Sequence, residues 1–140
     1  MPTDSVAVVD GSNIAYTELS ANGDPKVSNI VAVCRDLRDR GYRPVVIVDA
    51  SLRHEIDDPD QLEALLDDQD VRQAPAGTQA DYFVLEVADE LGALVISNDG
   101  FDEYREQYPW IDERRVPLMI VGGEVMLHEP SLRQNRQRAD

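Results

Sequence analysis

Three short apolar runs, each followed by an acidic residue, constrain the fold of this chain more than any other feature. The runs and the acids beyond them are Val6–Val9 with Asp10, Val45–Val48 with Asp49, and Ala93–Ile96 with Asp99. A continuous apolar run is typical of a strand that is covered on both faces, as in a parallel sheet. Because open α/β sheets bind ligands beyond the carboxyl ends of their strands, the pattern predicts acids gathered at one sheet edge.

Segments with helical spacing lie between these runs. Apolar residues recur at helical intervals over 28–40 and 80–91, and we predict a helix in each segment. A strand, a helix and a second strand in this order predict a right-handed crossover between parallel strands. We also predict a loop over 14–25, a short helix over 59–66 and a brief edge strand at Val71.

The region after the third apolar run adds further predicted elements. A short helix that carries Asp102 and Glu103 should follow the run, and 118–121 should form a fourth strand. Gly122-Gly123 is typical of a two-residue hairpin turn, which would connect that strand to 125–127.

Length and composition favour a single domain. The 140 residues suffice for one sizeable core, which we place at 1–130, and the arginine-containing segment 131–140 is predicted to be a mobile basic tail. Cys34, the single cysteine, lies in an apolar helical pattern, so we predict a core thiol and a reducing, cytoplasmic location. Apolar runs of about five residues are too short to span a membrane, and we expect neither a signal peptide nor a membrane partner.

Acidic residues outnumber basic ones, with 28 Asp and Glu against 13 Lys and Arg and a net charge of −15. Such a surface repels nucleic acid at low salt. Two interpretations compete: a solvated acidic coat, as in proteins from a salt-rich (halophilic) cytoplasm, and acids that bind metal. Because acidic runs such as 57–60 and 67–70 lie outside the apolar segments, we assign most of the acid to the coat.

A smaller set of acids should converge at the sheet edge. Asp10 and Asp99 follow strands that end there, Asp102 lies three residues beyond Asp99, and Asp81 opens the helix beside them. Converging carboxylates repel one another unless a cation is present. Mg²⁺ or Mn²⁺ suits such an oxygen-only set, whereas the two histidines of the chain lack the spacing of zinc ligands. Either one or two metal ions would fit.

Structural interpretations of the same acids stay open at this point. Asp10 would cap the segment that follows it, and Asp49 would begin a loop or cap. Asp81 lies in the first turn of its helix, where a carboxylate suits the positive end of the helix dipole.

The ordered motifs of the chain resemble those of the NYN/PIN-like ribonucleases, specifically the Zc3h12a-like (Regnase-type) branch. The resemblance spans about 6–127, and Asp-Gly-Ser-Asn by itself is a weak signal, whereas the ordered set is fairly specific. The matching segments are Val-Asp-Gly-Ser-Asn at 9–13, Gln-Ala-Asp-Tyr-Phe at 79–83, Val-Ile-Ser-Asn-Asp at 95–99, Tyr-Pro-Trp-Ile at 108–111 and Arg-Arg-Val at 114–116.

The resemblance implies a PIN-like three-layer α/β/α sandwich with a central, mainly parallel sheet. It also implies a hydrolase, an endoribonuclease, that cleaves phosphodiester bonds in single-stranded or loop RNA with Mg²⁺ or Mn²⁺ as cofactor. Catalytic and metal-ligand roles then fall on Asp10, Asp81 and Asp99. Asn13 would be a polar ligand or an orienting group, and orienting roles also fall on Ser12 and Asn98 beside the same motifs.

Two departures from the family pattern bear on activity. Ala80 stands where the family often has a second acid next to Asp81. The family's acid beyond the Ser-Asn-Asp motif is usually four residues on, at Glu103, whereas Asp102 is three residues on. We favour Asp102 as the fourth catalytic and metal-binding acid and assign Glu103 an orienting role.

RNA as a partner requires a local basic strip on so acidic a protein. Arg53 matches a family position with a basic residue after the second strand, and we predict a phosphate contact there. Lys26 and Arg35 are further candidates for RNA binding. A homodimer or weak homo-oligomer is compatible with the sequence.

Two other function classes compete with a metal-dependent ribonuclease. A non-catalytic RNA-binding or protein-interaction domain that retains the fold would explain Ala80 and the net charge. A phosphatase of another acidic α/β fold commonly has a second Asp two residues after its Asp nucleophile, but position 12 is Ser here.

Overall fold

The computed structural model describes residues 5–68 and 71–128, so the predicted tail at 131–140 lies outside the described residues. The strands are β1 (Val6–Asp10), β2 (Arg43–Val48), β3 (Val71–Gln73), β4 (Leu94–Ile96), β5 (Arg115–Val116), β6 (Leu118–Val121) and β7 (Glu124–Leu127). The α-helices are α1 (Gly11–Ala15), α2 (Val27–Asp39), α3 (Pro59–Asp67), α4 (Ala80–Leu91) and α5 (Ile111–Arg114). Short 3₁₀ helices form at Ala50–His54 and Asp102–Tyr104.

A five-stranded parallel sheet in the order β3-β2-β1-β4-β5 forms the centre of the domain. Both faces of its central strands are covered, since Val8 packs in one apolar cluster with Val84 of α4, whereas Val9 packs in another with Ile30 of α2. This burial explains why the sequence runs are continuously apolar instead of alternating. The predicted three-layer α/β/α sandwich with a mainly parallel sheet is confirmed.

The two long helices lie within one residue of their predicted bounds. In α4, Val84, Leu85 and Ala88 are fully buried, and the helix ends at Gly92, which takes a left-handed φ of 62°. A residue with a Cβ would be strained in that conformation, so glycine is the natural end of this helix.

Helix α1 was not predicted as an element of its own, because five residues are too few for a periodic pattern. Its first residue, Gly11, lies directly against β2. A Cβ at this position would come within 2.7 Å of the Val48 Cγ1 atom and 2.9 Å of the Ile47 carbonyl oxygen. Close approach of the two backbones, and not only the predicted turn, therefore requires glycine at this position.

The predicted strand at 118–121 is confirmed as β6, but it does not join the central sheet. The two residues of β5 occupy the position beside β4, and β6 instead forms a separate two-stranded antiparallel sheet with β7. Pro117, between β5 and β6, has no N–H to donate to a ladder, and the chain leaves the central sheet there. The predicted hairpin turn is confirmed, with positive φ at both Gly122 and Gly123.

The described helices include none that is both long and apolar enough to cross a bilayer.

Candidate metal centre

Three carboxylates converge beyond the carboxyl ends of β1 and β4. Asp10 is the last residue of β1, Asp81 is the second residue of α4, and Asp99 follows β4 by three residues. One carboxylate oxygen from each lies within 4.8 Å of the others. Residues separated by up to 89 positions in sequence therefore form one cluster, as the shared sheet edge predicts.

The pairing of the strands explains this convergence. Val9 of β1 is in register with Ile96 of β4, so the next residues, Asp10 and Ser97, lie side by side at the edge of the sheet. Helix α4 packs on the face of the sheet that contains Val8 and Val95, which brings its N-terminal turn and Asp81 to the same edge.

Ser97 connects two of the three acids, a role that the sequence analysis missed. Its side chain is fully buried, and its hydroxyl donates a hydrogen bond to Asp10 Oδ2 at 2.8 Å. The Ser97 Oγ atom also accepts a hydrogen bond from the Asp99 N–H at 3.0 Å. The available signal was a small hydroxyl residue directly after an apolar strand and two positions before an acid.

Burial and mutual repulsion shape the electrostatics of the cluster. Burial raises the pKa of the Asp10 carboxyl to about 7, with further contributions from the charges of Asp81 and Asp99, while the Ser97 hydrogen bond opposes the rise. The pKa of Asp81 is also raised, first by burial and then by Asp99. A cation would relieve both effects, and an all-oxygen donor set fits a hard divalent ion such as Mg²⁺ or Mn²⁺.

A cavity of about 470 Å³ contains the cluster. Its lining includes five acids and no basic side chain among the described residues, and hence it is strongly electronegative. The lining residues are Asp10, Ser12, Asn13, Asp49, Gln79, Ala80, Asp81, Asp99 and Glu103.

Glu103, and not Asp102, lines this cavity. The Asp102 side chain is 89% exposed and accepts a hydrogen bond from Arg105 Nε at 3.1 Å. Phe101 is buried with a left-handed φ of 52°, which sets the phase of the 3₁₀ turn over Asp102–Tyr104. We expected Asp102 to converge with the other acids, but this turn brings the neighbouring residue, Glu103, to the cavity instead.

The three predicted orienting residues other than Glu103 tie the surrounding loops together. Asn13 Oδ1 accepts the Asn98 N–H at 3.1 Å, and Ser12 Oγ accepts the Asp49 N–H at 2.7 Å. The Asn98 side chain donates to the Leu118 carbonyl and accepts the Leu118 N–H, so it joins the β4 loop to the hairpin.

Asp49 combines two of the roles that the sequence left open. Its carboxylate accepts a hydrogen bond from the Ser51 N–H at 3.2 Å and thereby caps the 3₁₀ helix Ala50–His54. Asp49 also lines the cavity. The structure therefore places a structural cap at the rim of the candidate metal centre.

The three basic residues predicted to bind RNA lie outside the cavity lining. Arg53 bonds to Gln73 and forms an ion pair with Glu63 at 3.3 Å, and Lys26 forms one with Glu18 at 2.7 Å. Arg35 is exposed on α2. Within the described residues, the structure does not gather these cations around the acids.

Comparisons with known proteins agree with this geometry. The family model described as the Zc3h12a-like ribonuclease NYN domain matches residues 3–140. No match was found among curated proteins.

Among solved structures, two of nuclear protein-only RNase P 2 from Arabidopsis thaliana are similar to this chain. The first has a TM-score of 0.68 and 24% sequence identity, and the match covers 86% of this chain and 29% of the solved chain. The second has a TM-score of 0.68 and 23% sequence identity, and the match covers 89% of this chain and 30% of the solved chain. The chain thus spans less than a third of the length of these structures. At this identity the likeness shows the fold, and it confirms the predicted PIN-like architecture.

Proposed function

The chain belongs to the Zc3h12a-like ribonuclease NYN domain family, and from this premise we propose that it is a metal-dependent endoribonuclease acting on single-stranded or loop RNA. The observation that carries the proposal is the cluster of Asp10, Asp81 and Asp99, whose ligand atoms lie within 4.8 Å of one another. A partly buried group of like charges has no structural benefit by itself, since it destabilises the fold unless a cation is bound.

Asp10, Asp81 and Asp99 would hold Mg²⁺ or Mn²⁺. When bound, such an ion supplies Lewis-acid chemistry, because it neutralises charge on phosphodiester oxygens and lowers the pKa of water. Neighbouring residues of the chain position the carboxylates that would bind the ion. Ser97 fixes the Asp10 carboxylate through its 2.8 Å hydrogen bond, and Asn13 anchors the loop that carries Asp99 through the Asn98 N–H.

Glu103 and Asp49 face the same cavity from opposite loops. Both carboxylates contribute to the raised pKa of Asp81, after burial and Asp99, so their charges act on the centre itself. We assign them to water and substrate groups at the cavity rim, with Glu103 in the role that the sequence analysis gave to Asp102.

Aromatic side chains beside the cavity support a preference for unpaired RNA. Tyr104 donates its hydroxyl hydrogen to Gln79 Oε1 at 2.7 Å, and Gln79 lines the cavity. Tyr104 and Tyr82 are both half-buried, with ring centroids 6.0 Å apart. Partly exposed tyrosine rings stack on bases that are splayed out of a helix, which single strands and loops offer and duplexes do not.

A cleavage assay tests the proposal. Purified protein should cut a 5′-labelled unstructured RNA internally with Mg²⁺ or Mn²⁺, should cut a duplex of the same sequence more slowly, and should stop with EDTA. Asp10→Asn should lower the rate at least about a hundredfold, since even neighbours of metal ligands typically change activity by 10–100-fold. Asp39→Asn, the same charge change on the exposed end of α2, should leave the rate unchanged.

The same assay separates the two candidates for the fourth acid. We expect Glu103→Gln to slow cleavage more than Asp102→Asn does, because only Glu103 lines the cavity. Equal rates for wild type and Asp10→Asn would contradict the catalytic proposal.

Ala80 favours one alternative, a non-catalytic RNA-binding domain. It lines the cavity at the position where the resemblance predicts a second acid. RNA binding that is unaffected by EDTA, without strand scission under any divalent ion, would support this alternative over the ribonuclease.

A further inference from the structure

Arg115 is a cation next to the metal centre with hydrogen-bonding capacity that the protein does not use. Its Nη1 donates to the Ser97 carbonyl oxygen at 3.3 Å, and its Nε–H is buried without an acceptor among the described residues. Ser97 is the residue whose hydroxyl bonds to Asp10, so one residue links the Arg115 guanidinium and the acid cluster.

Strand register places Arg115 on the same face of the central sheet as α4, the helix that carries Asp81. Arg115 of β5 pairs with Val95 of β4, and partners in a parallel ladder share a face. Val95 packs in the same apolar cluster as Val84 of α4, the helix that carries Asp81. The side chain thus lies at the edge of the sheet next to the loop of Ser97 and Asp99.

Several other cations of this acidic protein have carboxylate partners. Lys26 pairs with Glu18, Arg53 with Glu63, and Arg105 with both Asp102 and Asp112. Within residues 5–68 and 71–128, Arg115 forms no ion pair despite the excess of acids. A partly buried guanidinium with one carbonyl partner and no carboxylate is unfavourable by itself, and an anionic ligand would compensate for its charge.

The chemistry of the cavity indicates which anion that is. Its described lining has no cation, so a polyanionic substrate that enters it needs a positive contact just outside. Guanidinium N–H groups bind phosphate oxygens with charge-assisted hydrogen bonds. We propose that Arg115 forms a subsite for a backbone phosphate of RNA adjacent to the metal centre, an inference that rests on the proposed function.

Arg114 provides a matched control at the neighbouring position. Its guanidinium carbon lies 4.4 Å from the centroid of the Trp110 ring, and its Nη1 donates to the Ala88 carbonyl oxygen at 3.4 Å. Arg114 therefore packs against the protein itself. Replacing either arginine removes one positive charge, but only Arg115→Gln removes the proposed phosphate contact.

Binding, measured separately from cleavage, tests the subsite. In the Asp10→Asn background with Mg²⁺, fluorescence anisotropy of a labelled single-stranded RNA would be titrated at several salt concentrations. Arg115→Gln should weaken binding about tenfold and reduce the slope of log K against log salt by about 0.7, the value for one phosphate contact on a single strand. Arg114→Gln should leave that slope unchanged.

Equal slopes for Arg115→Gln and Arg114→Gln would overturn the subsite. Arg115→Lys retains the positive charge and should retain the slope, so it provides a second test if Arg115→Gln folds poorly. A reduced slope for Arg115→Lys would also overturn the subsite. Because the readout is binding, absence of cleavage by the wild type would contradict the proposed function without deciding the fate of the subsite.

Discussion

Two carboxylates of the domain, those of Glu18 and Asp10, differ in the donors and charges around them. The carboxylate of Glu18 accepts hydrogen bonds from Lys26 Nζ at 2.7 Å and from the N–H groups of Gly122 at 2.7 Å and Gly123 at 3.1 Å. The carboxylate of Asp10 accepts hydrogen bonds from the Ser97 hydroxyl and the Asn13 N–H, and it faces two further acids.

The pKa values of the two groups move in opposite directions as a result. Hydrogen bonds from Lys26 and from the Gly122 N–H lower the pKa of Glu18, whereas burial raises that of Asp10 to about 7. Glu18 holds the turn of the β6–β7 hairpin against the chain after α1, and hence its charge stabilises the fold. The charge of Asp10 destabilises the metal-free fold, which is the pattern expected of a ligand-binding group.

The two groups should therefore respond to pH in opposite senses. The folded protein retains the Asp10 proton up to about pH 7, while the unfolded chain releases it near pH 3.8, so the metal-free fold loses stability as the pH rises between these values. The contribution of Glu18 is present above its unfolded pKa of 4.5 and is lost as the pH falls through its lowered value in the folded protein.

The largest expected effect that tests this comparison is on stability after Asp10→Asn. The variant removes the buried charge, so with EDTA at pH 8 it should melt at a higher temperature than wild type. The gain should reach ~4 kcal/mol at most, given pKa values of 3.8 unfolded and about 7 folded. It should vanish at pH 3, where the wild-type carboxyl is protonated.

Mg²⁺ provides the control for that measurement. At pH 8 the ion should raise the melting temperature of wild type more than that of Asp10→Asn, because ligands stabilise the state that binds them. If Asp10→Asn were less stable than wild type at pH 8 with EDTA, the charge of Asp10 would not destabilise the metal-free fold, and its contrast with Glu18 would be wrong.

A smaller effect is expected from removing the hydroxyl that contacts Asp10. Ser97→Ala leaves both the Asp10 carboxylate and the Asp99 N–H without their shared partner, so RNA cleavage should fall by about 10–100-fold at pH 7. Without the hydrogen bond that opposes the rise, the pKa of Asp10 increases further, and activity should recover partly at higher pH. A pH–rate profile of unchanged shape would argue against this role of Ser97.

The smallest effect concerns the hairpin. Glu18→Gln loses the ion pair with Lys26 and weakens the bonds to the turn, so the melting temperature should fall at neutral pH while cleavage persists. Glu124→Gln makes the same charge change on the exposed start of β7 and should leave stability unchanged. If both variants melt alike, Glu18 does not stabilise the hairpin.

Local pattern was enough to predict most elements of the fold. Helix α4 was predicted at its observed bounds, because a long apolar stripe and the Gly92 stop are both local signals. The hairpin turn at Gly122-Gly123 was also evident, since two successive positive φ values require glycine. The sequence did not show that β6 lies outside the central sheet, because β5 and not β6 pairs with β4.

The site shows the same division between local and tertiary information. Asp10, Asp81 and Asp99 were identified from strand ends and motif order, and the structure brings them together. The fourth acid was assigned to Asp102, but the cavity is lined by Glu103 because the buried Phe101 sets the phase of the following turn. Ser97 was missed since its two hydrogen bonds join residues that are distant along the chain.

The sequence by itself determined the parallel sheet, the edge at which acids collect and the identity of the three convergent carboxylates. Hydrophobic periodicity and strand direction are sufficient for the sheet and its edge, and the ordered motifs shared with the family single out the three carboxylates. Only the tertiary structure decided which neighbouring side chains enter the cavity, which hydroxyl joins Asp10 to Asp99, and which arginine contacts the Ser97 carbonyl beside them. Those contacts depend on distances between elements and on the rotation of single turns, which local sequence patterns do not specify.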